Sequence, residues 1–349
     1  MSSRGQFIGF SLFLMTAISV LPVMAGAADD ALSKRALAIF GTLPTSADNP
    51  ENPSTAAQVV LGGALYSDPR LSKNHDISCA SCHQLDRFGV DGEATSPGHQ
   101  GQRGGRNSPT SFNAALHIAQ FWDGREPDVE AQAKGPVLNP IEMAMPDAAS
   151  VEAVLRSIPG YAPMFEAAFA GSNPSISFDN MALAIAAFER QLITPGAFDA
   201  FMSGDVTSLN DAQRRGLGLF MDTGCITCHN GAAIGGGTFQ KLGLVEAYIT
   251  TDQGRFEVTG NENDRQVFKV PSLRNVEKTG PYFHDGSIAT VDEAVRLMAR
   301  HQLGKALNDA EVADIVAFLG SLTGSPDPSL LEPPSLPKSG PNTPKPDPT

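Results

Sequence analysis

Ile77-Ser78-Cys79-Ala80-Ser81-Cys82-His83 and Cys225-Ile226-Thr227-Cys228-His229 are the two stretches that decide how this chain folds. Each contains C-x-x-C-H, and together they use all four cysteines of the 349 residues. Four cysteines in an exported chain would ordinarily suggest disulfides, and a lone C-x-x-C a redox pair or half a zinc site. The spacing overrides both readings. Two thiols three positions apart on a helical turn can add to the two vinyl groups of one haem, and the histidine that follows then meets the iron from the proximal side. The sequence therefore predicts two covalent haems c, held by Cys79 and Cys82 and by Cys225 and Cys228, with His83 and His229 as proximal ligands.

Working outward, the same residues precede both motifs. Gly62, Leu65, Tyr66 and Asp68 match Gly216, Leu219, Phe220 and Asp222 in order and spacing, which reads as two copies of one module. In the first copy a helix is expected over Pro53–Tyr66, with Asn52 as N-cap and Pro53 at the first helical position. A Gly-rich polar loop, Gly89 to Arg106, follows the motif. Helices then run to about Gln191, the clearest being Met181–Leu192, where Met181, Ile185, Phe188 and Leu192 share a face. Thr194-Pro195-Gly196 marks a boundary. The second copy opens with a capping box, Asn210 with Gln213, and its helix ends near Gly224. Asn308 and Glu311 cap a last helix with an apolar stripe of Val312, Ile315, Val316, Leu319 and Leu322. The expected fold is mainly α: two cytochrome-c-like domains, residues 28–192 and 193–324, each enclosing one haem c, with long loops. The tail, 325–349, holds nine prolines and is expected to be extended or disordered.

Ser2 to Ala27 reads as a signal peptide: Arg4, an apolar stretch from Ile8 to Val20, then Ala25-Gly26-Ala27. The apolar run is shorter than the roughly 20 residues a spanning helix needs, and Pro22 breaks it, so export to the periplasm is expected rather than membrane anchoring. A net charge of −13 argues against nucleic acid and anionic membranes as partners and for one with a basic or neutral docking face. Gly and Pro together number 60 and aromatics are 7%, so the chain is loop-rich and short of large core side chains. A bulky apolar cofactor would fill that deficit.

For the sixth ligand of the second iron, Met298 lies 69 residues after His229 and ten before the cap Asn308, where a small cytochrome c carries its distal Met in a loop before the last helix. The bland alternative is a core methionine. Thioether ligation raises the reduction potential, so the second haem is expected to accept electrons. No Met is similarly placed for the first haem. His99 lies in the Gly89–Arg106 loop, and a His on a mobile loop can be a detachable ligand, leaving a face open to a small oxidant. His75, His117 and His301 are read as solvated or core residues.

These motifs resemble those of the bacterial dihaem cytochrome c peroxidases. The resemblance is carried by D-P-R-L-S with I-S-C-A-S-C-H, P-G-H-Q-G-Q-R-G-G-R-N-S-P-T-S-F-N, Q-F-W-D-G-R-E, N-P-I-E-M, F-D-N-M-A-L-A-I, G-C-I-T-C-H-N-G, and K-V-P-S-L-R-N-V-E-K-T-G-P-Y-F-H-D-G with A-V-R-L-M, in family order from about Glu51 to Leu322. It implies that His99 is the distal His of the peroxidatic haem, Met298 the distal Met of the high-potential haem, and Trp122, the one tryptophan, the residue between them. It implies Glu142 and Gln132 as the polar pair of the peroxide pocket, and Asn107, Thr279 and Pro281 as positions that hold a calcium between the domains, the last two through carbonyls. His284 matches a residue near a haem propionate. Taken from the residues alone, Glu142 would be a surface carboxylate and Trp122 a core aromatic.

The activity so implied is reduction of H2O2 to two waters with electrons from a small cytochrome c or a blue-copper protein. Electrons enter at the second haem and pass inward by way of Trp122, while Glu142 moves a proton from the near to the far oxygen of peroxide at the first. Two rivals stand beside it. One is a plain dihaem electron carrier. The other is the related maturation enzyme of methylamine dehydrogenase, whose distal Tyr stands where Met298 stands here. Members of the family are often homodimers, and no apolar stripe in this sequence demonstrates one.

Overall fold

The computed structural model describes residues 21–51 and 53–349, so most of the signal segment Ser2–Ala27 and the cap Asn52 lie outside the described residues. Helices carry the fold. They are α1 (Leu21–Phe40), α2 (Ala56–Tyr66), α3 (Cys79–Cys82), α4 (Val129–Leu138), α5 (Ala148–Ser157), α6 (Tyr161–Ala168), α7 (Phe178–Glu189), α8 (Ala197–Met202), α9 (Asp211–Thr223), α10 (Phe256–Thr259), α11 (Val291–Leu303) and α12 (Asp309–Gly320). A short antiparallel ladder, β1 (Phe239–Lys241) with β2 (Val267–Lys269), pairs Gln240 with Phe268.

Helix starts follow local chemistry. Asn210 with Gln213 and Asn308 with Glu311 form the capping boxes expected of them, and Gly224 ends α9 in the left-handed conformation. The start of α2 differs from expectation. Its N-cap is Thr55, whose hydroxyl accepts from the Gln58 amide while the Gln58 side chain accepts from the Thr55 amide. That reciprocal pair satisfies two orphan donors, which a proline at the first helical position cannot do.

Two cores result. The first gathers Leu61, Leu65, Tyr66, Tyr161, Phe165, Met181, Ile185 and Leu192 around the α2–α7 crossing. The second gathers Phe198, Phe201, Leu217, Phe220, Phe318, Leu319 and Leu322 around the α9–α12 crossing. The internal repeat is the signature of these crossings. A Cβ on Gly62 would lie 1.9 Å from the Ala184 carbonyl oxygen, and one on Gly216 would lie 1.8 Å from that of Asp314. One turn on, Tyr66 meets Phe188 at 5.3 Å between ring centroids, and Phe220 meets Phe318 at 5.2 Å. In both domains glycine lets two backbones touch, and an aromatic pair fills the space beside them. Gly216→Ala must push α9 off α12 and should cost about 2 kcal/mol of stability, seen as a lower denaturant midpoint. An unchanged midpoint would mean that the crossing yields freely.

The chain ends exchange domains. Phe40 of α1 packs edge-on against Phe198 in the second core, their centroids 5.4 Å apart. Leu330, Leu331 and Leu336 of the tail pack against the first core. Composition alone gave this tail no structure. It is in fact extended, with a 3-10 turn at Pro328–Leu330, and its few leucines are the anchors that a count of prolines hides.

Candidate active site

The first motif sits on the single turn α3, capped by Ser78 through Ser81, and brings Cys79 and Cys82 to one side with His83 next. Tyr66, at the end of α2, donates from its hydroxyl to the His83 carbonyl at 2.8 Å and is tied to Ser111 at 3.0 Å. Burial pushes the His83 imidazole toward its neutral form, the form that can ligate a metal, and its Nδ1 is a buried atom without a partner.

His99 is 5% exposed, in a 3-10 turn where Gln100 adopts a left-handed φ of 58°. Its amide donates to the carbonyls of Glu142 at 2.8 Å and Ile141 at 3.0 Å, so the loop that carries His99 is fastened to the segment that carries Glu142. Burial raises the Glu142 carboxyl above its ordinary value, and the charge of Arg125 works against this. Arg125 is held over the Phe121 ring, 3.4 Å from its centroid, and by Asp123. Gln132 stands half-buried on α4, whose last turn also fixes Met143 through the Pro136 carbonyl. No hydrogen bond joins the Gln132 and Glu142 side chains in this structure.

The second motif follows α9 directly. Cys225 opens a 3-10 turn, and His229 lies on the wall of a cavity shared with Phe220, Leu242, Phe268, Val295 and Leu303. Burial lowers His229 to about 4 against the opposing pull of the Ile234 and Pro271 carbonyls, and its Nδ1 too is buried without a partner. Met298 lines the same cavity, as expected of a ligand opposite His229. It comes, however, from the helix α11 and not from a loop. Thr290 caps α11 early enough, through the Glu293 amide, for its middle turns to reach the cavity.

Trp122 belongs to the first half of the chain yet lies on this second cavity. Its indole donates to the Asn107 carbonyl at 2.9 Å, and its own carbonyl accepts from the Lys269 amide at 2.8 Å. Beside it Arg106 bridges the domains, forking onto Asp252 at 2.7 and 2.8 Å and reaching Asp123 on the other side. Asn107, Thr279, Pro281 and His284 line the same cavity. The Asn107 amide donates to the His284 carbonyl at 2.7 Å, and its side-chain nitrogen to the Glu93 carbonyl at 3.0 Å, so Oδ1 is its remaining donor oxygen.

Sequence reasoning missed Lys269 here. Lys269 is buried and lowered by that burial to about 8, and its ammonium lies 3.1 Å from His117 Nδ1. His117 is thus a core residue, one of the readings given to it above. Its Nε2 and the Nδ1 of His284 are further buried atoms without partners. A lysine in a strand two residues before a proline carries no signal of burial, so only the fold could place it.

These atoms fit a haem at each motif. All four thiols are unpaired. Each adjacent imidazole is neutral and oriented from a buried side. The second cavity is mainly apolar and is lined also by a buried lysine and two imidazoles with spare ring nitrogens, groups that could meet carboxylates at a haem edge.

Relatives agree. A family model described as di-haem cytochrome c peroxidase matches residues 56–207, and one described as cytochrome c matches residues 213–323. The chain is 48% identical to a cytochrome c551 peroxidase of Nitrosomonas europaea over 86% of this chain and 89% of the relative. It is 45% identical to a cytochrome c551 peroxidase of Pseudomonas aeruginosa over 91% and 93%. The chain belongs to the dihaem cytochrome c peroxidase family. As a dihaem peroxidase it carries two haems c. Methylamine utilization protein MauG of Methylorubrum extorquens is more distant, at 34% identity over 84% of this chain and 86% of that one. Among solved structures, a MauG-like protein associated with microbial copper homeostasis superposes with a TM-score of 0.73 at 28% identity, covering 87% of this chain and 97% of that one. Among the described residues, no helix of the peroxidase is long and apolar enough to cross a membrane.

Proposed function

We propose that this peroxidase works in the periplasm, reducing H2O2 with electrons that a small cytochrome c or a blue-copper protein delivers to the C-terminal haem. The observation that carries the reading is an asymmetry between the two motifs. Met298, on a capped helix, lines the same largely apolar cavity as His229 and would be the sulfur ligand there. On the side of His83 the candidate partner is His99, on a polar loop and beside the half-buried acid Glu142.

When bound, the two haems supply the redox-active irons that take up and hand on electrons. The chain does the rest. His83 and His229, which burial shifts toward the neutral form, would be the proximal ligands. Met298 would close the second centre with sulfur, a ligand that favours the reduced state and would keep small oxidants out. Trp122, whose indole is hydrogen-bonded within one domain and whose carbonyl accepts from the other, would serve as the relay. At the first centre Glu142 takes the proton from the near oxygen of H2O2 and delivers it to the far one, so that water leaves. Two electrons and two protons complete the conversion to two waters. Gln132 helps orient the peroxide. Asn107 Oδ1 with the carbonyls of Thr279 and Pro281 would supply neutral oxygens of the kind calcium takes with waters. His284, with Lys269 and His117, would be available to the propionates of the C-terminal haem.

Steady-state consumption of H2O2 by reduced small cytochrome c tests the reading. Turnover that rises with enzyme and with donor is expected. A dihaem protein that exchanges electrons with the donor yet consumes no peroxide would be a plain carrier. The related maturation enzyme of methylamine dehydrogenase stands as the second reading, and Met298 on the cavity wall argues against it, because a sulfur-ligated high-potential haem suits acceptance of electrons from a donor.

A further inference from the structure

The proline-rich tail does not simply cover the first core. Past Pro337 it runs along the N-terminal domain as a ladder of polar contacts. Arg70 donates to the Ser339 hydroxyl at 3.0 Å, and the Thr343 and Ser157 hydroxyls meet at 3.1 Å. The Asp347 amide donates to the Lys73 carbonyl at 3.0 Å, while its carboxylate lies 3.6 Å from the Lys73 ammonium. The ladder ends on the His99 loop. Gln100 donates from its side chain to the Pro348 carbonyl at 2.9 Å, and His99 Nε2 lies 3.2 Å from the main-chain oxygen of Thr349, which also accepts from Lys73.

We propose that residues 337–349 are a catch for His99: a groove on the N-terminal domain binds this extended proline-rich segment, and the main-chain oxygen of Thr349 receives the His99 ring when the ring is off the iron. The proposal rests on the reading of His99 as a detachable ligand. An imidazole nitrogen bonded to iron has no proton to give, so the His99 Nε2–H to Thr349 bond forms only when that nitrogen is free of metal. The tail then stabilises the released state and, through it, the open face of the first centre. Proline suits the task. A chain already biased to the extended polyproline conformation loses little entropy when it is laid into a groove. The ladder is also spaced so that the terminal contacts depend on those before it. Arg70 and Ser157 fix the course, and Lys73 holds both Asp347 and Thr349 in place.

The test compares calcium-loaded, half-reduced holoprotein with a version ending at Lys338, reading the spin state of the first haem by EPR and the amide hydrogen exchange of residues 98–101. The truncation should lower the high-spin fraction at least threefold and speed exchange in the loop. Lys73→Ala, a milder change that leaves the tail's leucine anchors intact, should do the same in smaller measure. A synthetic peptide of residues 337–349 added to the truncated protein should restore the high-spin signal. A high-spin fraction that is unchanged or higher in both variants overturns the catch. His99→Ala separates this from the reading beneath it. If that variant shows the same spin state as the parent in every oxidation state, His99 is no detachable ligand and the underlying reading falls. If it is constitutively high-spin while the truncation has no effect, only the catch is lost.

Discussion

Glu142→Gln should load both haems with unchanged spectra and consume peroxide about 10²–10⁴ times more slowly, the span that a positioned acid–base group contributes. The amide keeps the size of the side chain and the fastening of the loop, because His99 is held by the backbone carbonyl at 142 and not by the carboxylate. It cannot accept the proton that the mechanism moves. Burial raises the Glu142 carboxyl, and Arg125 restrains the rise. The proton-accepting form is the carboxylate, so activity is present above the raised pKa and lost as pH falls through it. The acid limb of the pH–rate profile should therefore lie above the ordinary carboxylate value of about 4.3, and it should disappear in Glu142→Gln. Arg125→Ala should move the same limb to still higher pH. Undiminished turnover in Glu142→Gln would remove this residue from the chemistry.

Met298→His should leave a six-coordinate second haem with a lower potential and block its reduction by the donor. The thioether favours the reduced iron, and a second imidazole does not. A fall of only ~120 mV shifts the one-electron equilibrium against reduction about 100-fold, since 59 mV is a factor of ten. The first haem should be unaffected in the fully oxidised protein, which distinguishes this result from general damage. Spectroelectrochemical titration measures it. A second haem that still takes electrons normally from the donor would show that sulfur comes from elsewhere.

Much of this architecture was legible because its determinants are local. The two C-x-x-C-H motifs, the boxes at Asn210 and Asn308 and the Gly62/Gly216 repeat are written within a few residues of where they act. Where two local signals competed, at Pro53 and Thr55, the one that satisfied more backbone donors prevailed. Met298 was singled out by its distance to His229 and to the last helix, and its backbone is helical where a loop was expected, because spacing along a sequence does not say whether a segment between caps is coiled or wound. The contacts that could not be read are those between residues far apart in the chain. Lys269 beside His117, Arg106 forked onto Asp252 and Thr349 against His99 each join positions separated by more than a hundred residues. Of the residues taken from the family resemblance, Met298, Trp122, Asn107, Thr279, Pro281 and His284 line one cavity. His99 and Glu142 meet through the backbone, and Gln132 stands apart from the Glu142 side chain.

The crossed ends of the chain bear on how the molecule comes apart. Each lobe is finished by a segment belonging in sequence to the other: Phe40 plugs the later one and three leucines beyond residue 329 close the earlier one. A polypeptide cut at residue 192 would yield two fragments, one bearing an aromatic plug with nothing to seal and the other a set of leucines with nothing to cover. Melting of one lobe withdraws a wedge from its neighbour, so the halves are mechanically interlocked and lose their order together.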